Sequence, residues 1–150
     1  MAEMKITMLP IESVHPYPDN PRRNDKAVDA VAESIKRFGF KNPIIVDNDY
    51  VIISGHTRRL AALKLGLKEV PVYVASDMTP QQVRAFRLAD NRVAEIADWD
   101  LKMLREEIAK IESVDLESLG FGRELLDDVQ SEMAGVKRHV CPRCGAEWTG

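Results

Sequence analysis

Long apolar runs are missing from this sequence. Nothing in its 150 residues approaches the roughly 20 consecutive apolar positions that a membrane helix needs. Cysteine is nearly absent: Cys141 and Cys144 share one C-x-x-C, so there is no disulfide framework of the kind that staples small secreted domains. The start, Met1-Ala2-Glu3-Met4-Lys5, has no basic-then-apolar leader. Repeats and low-complexity segments are lacking too. These absences point to a cytoplasmic protein without a membrane partner. What is present is 45% hydrophobic residues, enough to build a core and to exclude wholesale disorder. The length suits one compact domain with an appendage.

Overall, 21 Lys+Arg stand against 24 Asp+Glu, but the charge is unevenly spread. Residues 1–92 carry a net +3, residues 93–136 a net −8 and residues 137–150 a net +2. The chain reads as a mildly basic body, an acidic segment and a small basic tail.

Met4 to Ile11 reads as a short strand. It leads into His15-Pro16-Tyr17-Pro18-Asp19-Asn20-Pro21-Arg22-Arg23, where three prolines exclude regular helix and stiffen an extended loop. Asn24 or Asp25 can cap a helix whose stripe is Val28, Val31, Ile35 and Phe38, ended by Gly39. Pro43-Ile44-Ile45-Val46 and Tyr50-Val51-Ile52-Ile53 form a hairpin around Asp47-Asn48-Asp49. A helix follows, closed by Gly66, and then the strand Val70-Pro71-Val72-Tyr73-Val74, whose proline suits an edge or a strand start. Thr79-Pro80-Gln81-Gln82 is a capping box opening a helix to about Arg92. Leu101, Leu104, Ile108 and Ile111 mark one further amphipathic helix, and Leu125, Leu126 and Val129 another. The expected fold is α+β: a small mixed β-sheet with intervening helices, followed by a two-helix extension. The expected segments are a domain over 1–98, an acidic helical extension over 99–135 and a basic tail over 136–150.

Chemistry concentrates at Ile52-Ile53-Ser54-Gly55-His56-Thr57-Arg58-Arg59. A strand feeds a glycine turn and then a helix, so free backbone N–H groups and the positive end of the helix dipole face one small volume. Gly55 lets an anion approach the backbone, and Thr57 and Arg58 add a hydroxyl and a guanidinium fork suited to phosphate oxygens. The bland alternative is a glycine cap followed by a solvated basic face. His56 has three readings: a cap, a solvated side chain or a catalytic group. Asp47 and Asp49 read as a hairpin turn, with a metal site as the alternative.

Taken in order, Asn20-Pro21-Arg22, Gly39-Phe40-Lys41-Asn42-Pro43-Ile44-Ile45-Val46, Ser54-Gly55-His56-Thr57-Arg58-Arg59-Leu60-Ala61-Ala62, Val70-Pro71-Val72 and Leu88-Ala89-Asp90-Asn91-Arg92 resemble the N-terminal domain of ParB proteins. That domain, often labelled nuclease-like, belongs to the ParB/sulfiredoxin-like superfamily. The resemblance covers residues 5–98. It implies binding of CTP or ATP with Mg2+, in a module acting in DNA segregation, modification or transcription regulation. It also implies roles: Gly55, His56, Thr57 and Arg58 as the phosphate cradle, Asp90 and Asn91 as the magnesium-side pair, Asn42 bordering the base, and Arg22 reaching over from the proline-rich loop.

Departures from the family pattern widen the readings. His56 stands where ParB proteins have Glu and Thr57 where they have the first Arg, so the base preference is open. The loop has no cysteine, which excludes sulfiredoxin-type sulfinic acid reduction. Gly55-His56-Thr57-Arg58 partly resembles the Gly-His-His-Arg of free-serine kinases, for which Asp19 or Glu12 would have to serve as the base. An enzyme of the same fold (nucleotide hydrolase, nuclease or free-amino-acid kinase) and a protein-interaction adaptor are therefore carried as alternatives, though no carboxylate cluster resembles a two-metal nuclease site.

The acidic helices over 99–133 are poor readers of DNA, because phosphate contacts supply DNA affinity, so any DNA partner is expected to be reached indirectly or through another protein. Residues 99–121 resemble the linker after ParB-like domains in phage and mobile-element proteins. In the tail, Cys141-Pro142-Arg143-Cys144-Gly145 has the form of half a zinc-ribbon knuckle. Two of four Zn2+ ligands are present; His139 or a second chain would complete the set, the latter implying a homodimer.

Overall fold

The computed structural model describes residues 4–133, 138–140 and 147–149, with side chains as far as residue 130. The chain forms two compact units, Met1–Ala97 and Asp98–Gly150. The first is built from β1 (Ile6–Pro10), α1 (Val28–Phe38), β2 (Ile44–Val46), β3 (Ile52–Ser54), α2 (His56–Lys64), β4 (Glu69–Val74) and α3 (Pro80–Ile96). Short 3-10 turns occupy Ile11–Ser13 and Asp25–Ala27. The sheet runs β1-β4-β2-β3, with β2 parallel to β4 and the other pairs antiparallel. This is the α+β arrangement with a mixed sheet that the sequence pattern implies.

Alternation along each strand supplies two cores. Ile44, Val46, Ile52, Val70 and Val72 are buried with Ile11, Val14 and Ala62 of α2 on one face. Ile53 joins Ala75 and Val83 of α3 on the other, with Ile45, Tyr73 and Phe86 packed against them. Successive residues such as Ile52 and Ile53 thus serve opposite layers, so the end of β3 is clamped between α2 and α3. That clamp positions the site.

Local signals place the helix ends. Gly39 closes α1 at φ 81°, a left-handed conformation that favours glycine. Thr79 accepts from the Gln82 N–H while the Gln82 side chain accepts from the Thr79 N–H, completing the capping box with Pro80 at the first helical position. The helix outruns the sequence expectation by about a turn, ending at Ile96. Pro71 departs further: β4 has neighbours on both sides. Its pairing with β2 begins only at Val72, so at Pro71, opposite Met8, the strand has a partner on one side and the missing N–H interrupts no rung with β2.

The second unit contains α4 (Leu101–Ile108), α5 (Arg123–Met133) and the antiparallel pair β5 (Arg138–Val140) and β6 (Glu147–Thr149). Asp100 caps α4 through the Met103 N–H, Leu104 and Val129 are buried, and the rings of Trp99 and Phe121 lie 6.0 Å apart. The proposed zinc ligands Cys141 and Cys144 lie outside the described residues. Among the described residues, no helix is long and apolar enough to cross a membrane.

Candidate functional site

The turn from β3 to α2 is made at Gly55, with φ 112° and no side-chain cap on the helix that follows. Its first N–H groups are therefore free to face a ligand. A Cβ on Gly55 would sit 3.0 Å from two guanidinium nitrogens of Arg58 and 3.3 Å from the Ile44 Cα, so the glycine is required by crowding as well as by conformation. Arg58 folds back over the turn. Its Nη2 donates to Ser54 Oγ at 3.4 Å, and Ser54 Oγ donates to Asp90 Oδ2 at 2.7 Å. Its Nε is buried with no hydrogen-bond partner. Burial pulls the guanidinium below its usual pKa, opposed by the charge of Asp90. Arg58 thus lines the turn as a half-buried cation whose donors are only partly used.

These groups line a cavity of about 300 Å³ together with His56, Thr57, Asn20, Arg22 and Asn91. Arg22 Nη1 donates to Asn91 Oδ1, so the proline-rich loop is joined to α3 across the cavity. Asn91 in turn donates to the Arg87 carbonyl one turn earlier, at 2.8 Å. Seven of the eight residues singled out from the sequence for nucleotide binding, namely Arg22, Gly55, His56, Thr57, Arg58, Asp90 and Asn91, thus line one cavity. Asn42 does not. It lines a neighbouring cavity of about 410 Å³ with Ser34, Phe38 and Phe40, and Arg58 and Val31 line both.

Ser54 and Arg87 are site residues to which the sequence pattern assigns no role. Ser54 is the hydroxyl between Arg58 and Asp90, and its place at the strand end directly before Gly55 was the available signal. Arg87 donates to the Ile52 carbonyl at 3.0 Å and to Asp47 at 3.3 Å, and its guanidinium lies 3.9 Å from the centre of the Tyr17 ring. Its i, i+4 spacing to Asn91 puts both on one helix face. Asp47 is a turn residue: Oδ1 accepts from the N–H groups of Asp49 and Val51, each at 3.0 Å. Of the acids nominated as a base, Asp19 lines a third cavity beside His56, and Glu12 lies in a separate one with Leu63 and Gly66.

Among the described residues, no group of three or more His, Cys, Asp or Glu side chains is arranged to hold a metal ion by itself. Asp90 and Asn91 line the cavity, Asp90 accepting from Ser54 and Asn91 from Arg22.

Comparison with known proteins gives the same residues a context. The chain is 40% identical over 81 residues to the ParB-like nuclease domain-containing protein YnaK of Escherichia coli K12, covering 53% of this chain and 93% of that protein. It is 38% identical over 90 residues to a probable chromosome-partitioning protein ParB of Campylobacter jejuni, of which it spans 32%. In three dimensions it resembles the C-terminally truncated chromosome-partitioning protein ParB of Caulobacter crescentus, solved with CTP-γ-S. The TM-score is 0.66 with 23% identity over 87% of this chain and 79% of that one, a likeness of fold. The profile of the ParB N-terminal domain matches residues 1–92, the segment that carries the sheet, the Gly55 turn and most of α3, and the chain belongs to that family.

Proposed function

We propose that the first unit is a nucleotide-binding module, taking CTP or ATP with Mg2+, and that it works in the cytoplasm in DNA segregation, modification or transcription regulation. One observation carries the reading: the buried, unpartnered Nε of Arg58 above a glycine turn at an uncapped helix start. In this reading the N–H groups of α2, Thr57 and Arg58 hold phosphates. Asp90 and Asn91 meet the metal, and Asn42 borders the base in the adjoining cavity. The metal would neutralise phosphate charge there. The Caulobacter ParB, complexed with a CTP analogue, supports the nucleotide class. DNA is reached indirectly or through a partner protein rather than through the acidic segment.

Titration calorimetry with CTP, ATP and GTP, with and without Mg2+, tests this. Binding of one or more is expected, and Arg58→Ala should weaken it by about 2–3 kcal/mol, roughly 30- to 150-fold. No heat at millimolar nucleotide, or binding unchanged in Arg58→Ala, sinks the proposal. For the tail we propose a zinc knuckle in which Cys141 and Cys144 of two copies meet in a homodimer; bound zinc lost in Cys141→Ser is the corresponding test.

A further inference from the structure

Three contacts tie down the proline-rich loop and the residue just before it, and the first is made by a residue that also lines the cradle. Tyr17 N–H donates to His56 Nε2 at 3.1 Å. Arg59 Nε donates to the Val14 carbonyl at 2.7 Å. Arg87 covers the Tyr17 ring. The loop is thereby held between α2 and α3, and its far end delivers Asn20 and Arg22 to the cradle. The His56 bond fixes more than position. An imidazole nitrogen that accepts an N–H carries no proton, so the ring proton sits on Nδ1 and the side chain is neutral.

We infer that His56 is a positioning residue: held neutral with its proton on Nδ1, it latches the proline-rich loop at Tyr17 so that Asn20 and Arg22 close over the cradle. The groups around it agree. Arg59 on its own helix and Arg87 on α3 both disfavour a second proton, and burial does so most, pushing the pKa down to about 4. Arg84 and Asp19 share its cavity on the Tyr17 side; Arg58 and Asp90 share the cavity on the cradle side. With Nε2 occupied, His56 is not poised as a general base. Its Nδ1–H remains a donor in a residue that lines both cavities. The functional half of this inference, closure over a ligand, rests on the nucleotide reading; the latch itself does not.

Nitrogen NMR of the wild-type chain tests the latch without any ligand. Between pH 5.5 and 8 the proton is expected on Nδ1, and a proton on Nε2 or a titration near 6.5 would overturn the inference. Amide exchange supplies the second arm. His56→Ala should speed exchange at the Tyr17 N–H on the order of tenfold while leaving the Ala75 N–H, bound to the Val46 carbonyl, unchanged. His56→Gln keeps an acceptor and should restore protection, so that global loosening is told apart from a lost latch. Unchanged Tyr17 exchange in His56→Ala also overturns it. If nucleotide binds, His56→Ala should raise its Kd on the order of tenfold and His56→Gln should recover most of that. Equal affinity in all three proteins overturns the closing role. If no nucleotide binds while the tautomer and exchange are as stated, the latch stands and the nucleotide reading falls.

Discussion

The two units differ in where they can hold charge. The first has open pairs too, Lys64 with Asp29 and Arg92 with Glu95, but it also turns cations inward: Arg58 has its Nε buried over Gly55, and Arg87 pairs with Asp47 at 11% and 23% side-chain exposure. In the second, the pairs lie in water. Lys110 and Glu107 are 68% and 69% exposed, and Arg123 with Glu117 is similarly open. Buried cations cost desolvation and persist only where the fold fixes their partners or a ligand completes them, whereas open pairs add little and ask little. The difference locates function better than net charge does. The +3 body and the −8 segment differ by sign, but what marks the site is a donor left unspent.

The largest break in this comparison should come from removing one cation of each kind. Arg87→Ala deletes the bond to the Ile52 carbonyl, the pair with Asp47 and the cover over Tyr17, and should cost about 2–3 kcal/mol of stability. Lys110→Ala should stay within about 0.5 kcal/mol. Urea midpoints at constant m decide it. An Arg87→Ala midpoint within error of wild type would show that these inward contacts hold nothing together.

Glycines sharpen the same contrast. Gly55→Ala must adopt φ 112° and press on Arg58 and the Ile44 backbone, so about 1–2 kcal/mol of stability and measurable nucleotide binding should be lost together. Gly122, at the start of α5, has open space where a Cβ would go and no positive φ; Gly122→Ala should be nearly neutral. If Gly55→Ala retained full affinity in calorimetry, the turn would not be the cradle.

What the sequence disclosed follows from distance along the chain. The Thr79–Gln82 capping box, the Gly39 stop and the Asp47 turn are settled within five residues, and each formed as its residues dictate. A strand–glycine–helix junction advertises itself and brought out Gly55 and Arg58, whereas Asn91 came only from the resemblance to ParB domains. Pro71 misled because a proline's lost N–H reads as an edge in one dimension, whereas the sheet places it where only one side is paired. Ser54 with Asp90, Tyr17 with His56 and Arg87 with Asp47 lie 36 to 40 residues apart. No local pattern encodes such pairs; they exist because β3 is clamped between α2 and α3.

The smallest expected effect concerns His56. Its folded pKa, pushed down to about 4 from an ordinary 6.5, means the unfolded chain takes up a proton at a higher pH than the folded one. The stability tied to the neutral ring is therefore complete above about pH 6.5, declines as the pH falls toward 4, and changes no further below that. Since the ring is only about half buried, solvent screening trims the effect to about 1 kcal/mol. Urea unfolding at pH 7 and pH 4.5 should show wild type losing about that much more than His56→Gln, which keeps an acceptor for Tyr17 but cannot titrate. Carboxylates common to both proteins cancel in the difference. The tyrosines, Tyr17, Tyr50 and Tyr73, all lie in the first unit and both tryptophans in the second, so the loss should appear in the tyrosine signal. Equal pH slopes in the two proteins would remove His56 as the titrating group, and with it the claim that burial beside two cations keeps this ring neutral.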